Sequence, residues 1–119
     1  MKIVFTTSGT DINAPLDSRF GRSPRFLVYD MDNATFEVVD NQHLSASHGA
    51  GIQAAQTVVD TGAEAVITGH CGPKAFRVLQ AGGIEIFHTD ATTVAEALAA
   101  YREGRLNSAS TANRRGHEV

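Results

Sequence analysis

The chain has 119 residues, 42% of them hydrophobic, which suits one compact domain with a buried core and is too short for two. A formal net charge of −3, 7% aromatic residues and no tryptophan argue against a nucleic-acid-binding surface. No apolar run reaches the roughly 18 residues of a membrane span, and the strand-like start does not have the pattern of a signal peptide, so we expect a cytoplasmic protein without a membrane partner.

The first part of the chain alternates strand-like runs with loops. Lys2–Thr7 is a short, β-branched apolar run, which is typical of a central strand. Residues 13–24 contain two prolines and a glycine and have no period, which predicts a long ordered loop of the kind that often carries function. Residues 25–31 and 35–41 flank a three-residue turn and predict an antiparallel hairpin.

The second part of the chain alternates predicted helices and strands. Apolar residues at helical spacing predict helices over residues 52–61, over Pro73–Ala81, and from Val94 to a stop at Gly104. Two apolar runs, Ala65–Thr68 and residues 84–88, flank the second helix. This arrangement predicts a right-handed βαβ unit with parallel strands.

Together these elements predict an α/β domain over residues 1–106, with a mixed five-stranded sheet and three helices distributed over both of its faces. The polar, aperiodic residues 107–119 are predicted to form a mobile C-terminal tail. Ligands of such sheets bind beyond the carboxyl ends of the parallel strands. We therefore expect a binding edge at the loops after Thr7, Thr68 and His88.

The turn at residues 69–73 (GHCGP) combines several chemically useful groups. It holds the only cysteine, Cys71, with His70 beside it and Pro73 at the predicted first position of a helix. The free amides and positive dipole end of that helix would favour a bound anion and a Cys71 thiolate, which is the form that binds metals. One cysteine excludes an internal disulfide and a zinc site closed by several thiolates, so a bound metal must be held differently.

Three segments in order resemble the dinitrogenase iron–molybdenum cofactor biosynthesis family: residues 18–26 (SRFGRSPRF), residues 49–51 (GAG) opening a helix, and residues 69–76 (GHCGPKAF). The family includes nitrogenase cofactor carriers, part of a cofactor-assembly enzyme, and small free-standing molybdenum–copper proteins. The resemblance implies a ribonuclease-H-like sheet. It also implies a non-catalytic protein that binds, stores or delivers a preassembled metal–sulfur cluster containing molybdenum, of the Fe–Mo or Mo–Cu type.

The resemblance further implies partner proteins that donate and accept the cluster, and a monomer or weak homodimer. A metal–sulfur cluster is a bulky anion, so its carrier must supply positive potential and N–H donors, with few direct ligands. The candidates for direct metal contact are Cys71 and His70. The candidate cationic side chains are Arg19, Arg22 and Lys74, and the candidate glycines for close backbone approach are Gly51, Gly69 and Gly72.

Two other functions fit parts of the sequence. The series His70-Cys71-x5-Arg77 matches the literal motif of cysteine phosphatases, but a helix from Pro73 would carry Arg77 a full turn away from the thiol. A small-anion or protein-binding adaptor without a cofactor is also compatible with the sequence. His43 and His48, before the first helix, are either surface residues or further ligands.

Overall fold

The computed structural model describes residues 1–42 and 49–109. Within them the elements are β1 (Lys2–Thr7), β2 (Arg25–Asp30), β3 (Thr35–Asp40), α1 (Ala50–Asp60), β4 (Ala65–Thr68), α2 (Pro73–Ala81), β5 (Glu85–His88) and α3 (Val94–Arg102). Each predicted element is present, and only the end residues differ. No helix in the described part of the chain is both long and apolar enough to cross a membrane.

The five strands form one sheet in the order β3-β2-β1-β4-β5. Strands β1, β4 and β5 are parallel, whereas β2 is antiparallel to both of its neighbours. This confirms the mixed five-stranded sheet. It also places the carboxyl ends of β1, β4 and β5 at one edge, which we call the carboxyl edge.

The helices cover both faces of the sheet. Alternate strand residues point to opposite faces, so neighbouring positions belong to different cores. On one face Val4, Val66 and Ile86 pack against residues of α1 and α2, and on the other Ile3 and Ile67 pack against α3. Each such fully buried aliphatic side chain contributes about 1.5–3 kcal/mol of transfer free energy. The helix arrangement is therefore the one expected.

The long loop between β1 and β2 is ordered and runs across the carboxyl edge. The Asp17 amide donates to the Thr6 carbonyl oxygen at 2.8 Å, and the Phe20 amide donates to the His70 carbonyl oxygen at 3.0 Å. Farther back in the loop, the Ala14 carbonyl oxygen accepts a hydrogen bond from the Val94 amide at 3.0 Å. The loop thus connects the ends of β1 and β4 with the start of α3.

The chain after α3 returns to the edge strand β5. Ser108 pairs antiparallel with Phe87, and the Ala109 amide donates to the Ile86 carbonyl oxygen at 2.7 Å. The first residues of the predicted mobile tail are therefore bound to the sheet, because the outer edge of β5 offers free backbone groups. Residues 110–119 of that tail lie outside the described residues.

Candidate binding site

Two extended segments meet at the centre of the carboxyl edge. Arg19 pairs in parallel with His70, next to the Phe20 to His70 hydrogen bond. A Cβ atom on Gly69 would lie 2.7 Å from the Ser18 carbonyl oxygen, so only a glycine permits this approach. We call the paired residues 18–21 and 69–72 the central ridge. The first residues of each segment line one cavity, and the last residues line another.

The cavity at the far end of the ridge, which we call the glycine cavity, has a volume of about 380 Å³. Backbone forms much of its wall, because four of its lining residues are glycines. At its base the chains are close, since a Cβ atom on Gly21 would come 3.2 Å from the Cα atom of Gly51. The lining residues are Gly21, Gly49, Ala50, Gly51, Ile52, Gly72, Pro73, Lys74 and Ala75.

Helices α1 and α2 both begin at the glycine cavity. Their N-cap residues are Gly49 and Gly72, and neither helix has a side-chain cap. The amides of a first helical turn have no acceptor within the helix and carry the positive end of its dipole. Lys74 is exposed and adds a full positive charge, and none of the described residues lining this cavity is an aspartate or glutamate. The cavity is therefore suited to an anion.

Helix α3 shows what a self-sufficient helix start looks like in this protein. The Thr93 hydroxyl oxygen accepts a hydrogen bond from the Glu96 amide at 3.1 Å, and the Glu96 carboxylate accepts one from the Thr92 amide at 2.9 Å. The carbonyl oxygens of Ala14 and Ile12 accept the amides of the two residues after Thr93. The protein itself occupies the amides at the start of α3, whereas α1 and α2 have no side-chain cap among the described residues.

The cavity at the near end of the ridge, which we call the histidine cavity, has a volume of about 620 Å³. His88 Nε2 is buried and has no hydrogen-bond partner. Burial, and secondarily the positive charge of His70, lower the pKa of His88, which favours the neutral imidazole. The lining residues are Leu16, Ser18, Gly69, His70, His88, Thr89, Asp90, Ala91, Arg105 and Leu106.

Cys71 lines neither cavity. Its exposed fraction is 0%, and it belongs to the core beneath α1 and α2, with Sγ 3.8 Å from the Gly72 carbonyl oxygen. Burial raises the pKa of the Cys71 thiol to about 12. The expected exposed thiolate is therefore wrong, because the loss of hydration disfavours the charged form more than the helix start favours it. A metal contact by Cys71 stays a prediction, and one that would require the turn to open.

The same geometry argues against the phosphatase motif. A buried, neutral thiol is not a nucleophile, since the thiolate is the reactive form. Arg77 is exposed within α2, a turn beyond Pro73, as the early helix start predicts. The residues between Cys71 and Arg77 therefore do not form a phosphate-binding loop, because most of them belong to α2.

The residues predicted as one site are divided between two places. Gly51, Gly72 and Lys74 line the glycine cavity, whereas Gly69 and His70 line the histidine cavity. Arg19 and Arg22 are exposed at and beside the ridge and line neither cavity. His43 and His48 lie outside the described residues.

Sequence reasoning missed most residues of these walls, among them Gly21, Gly49 and His88. Gly21 and Gly49 stand inside the motifs at residues 18–26 and 49–51, and their glycine identity was the available signal. His88 ends the last parallel strand, a position that by itself indicates the carboxyl edge. Among the described residues, no group of three or more His, Cys, Asp or Glu is arranged to hold a metal ion.

Comparisons with known proteins agree over nearly the whole chain. A family model described as dinitrogenase iron–molybdenum cofactor matches residues 1–104. The apo form of the orange protein from Desulfovibrio gigas superimposes with a TM-score of 0.92 at 38% identity, covering 95% of this chain and 96% of that one. A Thermotoga protein named as a NifB protein of the DUF35 family superimposes with a TM-score of 0.84 at 33% identity. The match covers 97% of this chain and 98% of that one. An uncharacterised protein of Methanocaldococcus jannaschii is 29% identical over 97 residues, which are 79% of this chain and 82% of that protein.

Proposed function

The chain belongs to the dinitrogenase iron–molybdenum cofactor family, and from that membership we propose that it binds a preassembled metal–sulfur cluster and stores or delivers it. The cargo we propose contains molybdenum, in an iron–molybdenum or molybdenum–copper cluster. The protein acts on it by binding and release and catalyses no reaction. Donor and acceptor proteins of the cluster are its partners, and the chain works as a monomer or weak homodimer.

One observation carries the choice of site within the fold. The uncapped starts of α1 and α2 face the same glycine cavity, while the start of α3 is capped by the protein. Two helix starts without a side-chain cap among the described residues, both facing one volume, favour an anion, and an exposed site gains about 0.3–1 kcal/mol for each helix start near a negative charge. We therefore place the cluster in the glycine cavity.

The wall chemistry suits a cargo that must be released again. Sulfide ligands of a cluster accept hydrogen bonds from backbone amides, and such bonds adjust the properties of the cluster without fixing it covalently. Amides at the starts of α1 and α2 would supply these bonds, Lys74 would offset negative charge, and glycines would let the backbone approach closely. Arg19 and Arg22, exposed near the ridge, remain proposed counter-charges.

The proposal does not depend on a side chain that binds metal directly. His70 lies on the far side of the ridge from the glycine cavity, and Cys71 is sealed in the core. Cluster retention by amides and cations, with no covalent ligand, is therefore the arrangement that the described residues support. It predicts binding that weakens as the salt concentration rises.

Anaerobic reconstitution tests the proposal. Untagged apo protein is mixed with tetrathiomolybdate and a copper(I) salt and passed through a desalting column, and visible absorbance, molybdenum and copper are measured in the protein fraction. We expect coloured protein with a fixed metal-to-chain ratio. Colourless protein without retained metal would instead favour the adaptor or small-anion alternative.

A substitution at Gly72 tests where the cluster binds. At Gly72, φ is −69° and nothing lies within 4 Å of an added Cβ atom, so Gly72→Val places a side chain in open space without backbone strain. We expect Gly72→Val to fold and to lose the colour. Ser108→Val, at an exposed position of the chain beside β5, is the matched control and should keep it. Equal retention by both variants would place the cargo outside the glycine cavity.

A further inference from the structure

His88, in the wall of the histidine cavity, carries a buried nitrogen atom that the fold leaves unsatisfied. His88 Nε2 is the one buried side-chain nitrogen or oxygen without a hydrogen-bond partner among the described residues. Buried polar groups in folded proteins are nearly always paired, so an exception calls for a function, a bound ion or a bound water. His88 lines the histidine cavity, and the proposed cluster site does not use it.

A second imidazole lines the same cavity. His88 is paired with Thr68 in the β4–β5 register, and His70 follows Thr68 by two residues. Both residues line the histidine cavity. Two imidazoles in the wall of one cavity can share one ion, at metal–nitrogen distances of about 2.0–2.1 Å.

Both histidines are attached to backbone that is held in place. The Thr89 amide, next to His88, donates to the Thr68 carbonyl oxygen at 2.9 Å, and the His70 carbonyl oxygen accepts from the Phe20 amide at 3.0 Å. Arg105, in the cavity wall, is already engaged, because its Nε lies 2.8 Å from the Glu103 carboxylate. The pair of imidazoles is thus positioned in advance, and a ligand need not order the loops that carry it.

We propose that the histidine cavity binds a single divalent transition-metal ion, of the class Zn²⁺, Ni²⁺ or Cu²⁺, through the imidazoles of His70 and His88. Imidazole nitrogen suits these ions, whereas Ca²⁺ and Mg²⁺ require cages of oxygen ligands that this wall does not offer. The described residues supply no third His, Cys, Asp or Glu in ligand position, so water or an incoming molecule completes the coordination. The site is open and its ion exchangeable.

This site is separate from the one proposed for the cluster. It lies on the other side of the central ridge and shares no lining residue with the glycine cavity. Asp90 in its wall favours a cation, in contrast to the glycine cavity, whose described lining residues include no carboxylate. The ion can therefore be tested on apo protein in the absence of molybdenum and sulfide, and failure of this test leaves the cluster proposal unaffected.

The test is a Zn²⁺ titration of untagged apo protein, with isothermal calorimetry and imidazole ¹⁵N NMR as the two readouts. We expect one ion per chain and shifts confined to the His70 and His88 imidazole signals. His70→Asn and His88→Asn should each weaken Zn²⁺ binding by about tenfold or more. His117→Asn, which removes an imidazole outside the described residues, is the matched control and should leave the affinity unchanged.

Opposite results would overturn the proposal. These are unsaturable Zn²⁺ binding, unmoved His70 and His88 signals at saturation, full affinity in both Asn variants, or an equal loss in His117→Asn. Thermal unfolding without metal shows whether each variant folds. Should His88→Asn fail to fold, the NMR titration of the wild-type chain decides the question without it.

Discussion

Ser18 lies directly over Gly69, so that a Cβ atom on Gly69 would come 2.7 Å from the Ser18 carbonyl oxygen and 2.8 Å from its Cα atom. No side chain fits between these two backbones. The contact holds the loop after β1 against the turn after β4 and so builds the central ridge. The ridge is what divides the carboxyl edge into two cavities with different chemistry.

Replacing Gly69 by alanine should therefore weaken the fold. The added methyl group must push residue 18 and its neighbours off the turn, and such overpacking costs about 1–3 kcal/mol. Gly72→Ala is the matched control, because nothing lies within 4 Å of its added Cβ atom. Urea unfolding followed by circular dichroism measures both. Equal free energies of unfolding for the two variants would show that the two segments of the ridge can move apart without loss of stability.

Removing the charge of Lys74 should weaken cluster retention. The chain has two lysines, Lys74 at the glycine cavity and Lys2 at the start of β1, so Lys74→Gln and Lys2→Gln make the same charge change at different places. We expect about a two- to fivefold weaker affinity for Lys74→Gln at low ionic strength, an effect that added salt should diminish. Metal retained after dialysis at several salt concentrations measures it. An equal loss of cluster affinity in Lys2→Gln would show that the net charge of the chain, and not the position of Lys74, controls retention.

The buried Cys71 thiol makes stability depend on alkaline pH. The pKa is about 12 in the folded chain and about 8.5 in an unfolded one. Below the unfolded pKa both states keep the proton. Between the two values the unfolded chain binds fewer protons than the folded chain, so stability falls with rising pH by up to about 1.4 kcal/mol per pH unit.

Cys71→Ala removes this dependence. Urea unfolding at about pH 8 and about pH 10 should show a smaller loss of stability in Cys71→Ala than in the wild-type chain. Parallel losses in the two proteins would contradict a buried, protonated thiol. The same variant tests the ligand role predicted from the sequence. Because the thiol is sealed in the core, we expect Cys71→Ala to retain the cluster, and release of the cluster would restore Cys71 as a ligand.

The cap of α3 should contribute to stability and leave cargo binding alone. Thr93→Ala removes the hydroxyl that accepts the Glu96 amide at 3.1 Å, and the loss of such a cap costs about 1 kcal/mol. Thr57→Ala, within α1, is the matched control, because alanine is the better helix former at that position. Thermal unfolding and cluster retention should both be measured. A Thr93→Ala variant that also lost the cluster would connect α3 to the site.

Local patterns in the sequence predicted the fold nearly to the residue. Helix α2 covers Pro73–Ala81 as predicted, because a proline at its start and glycines at its end act over a few bonds. Helix α1 begins at Ala50, two residues before its first clearly apolar position, since Gly49 takes a left-handed conformation that periodicity does not reveal. The three motifs at residues 18–26, 49–51 and 69–76 identified the family that the comparisons then confirmed.

The sequence by itself thus determined the elements, the mixed sheet, the family and the edge where the candidate residues gather, because each depends on near neighbours or on strand direction. Only the tertiary structure decided that this edge holds two cavities, that Cys71 is sealed between core side chains, and that His88 faces the same cavity as His70. Those outcomes depend on how closely Ser18 approaches Gly69 and on which way a turn residue points. Distances between segments about fifty residues apart in sequence set both.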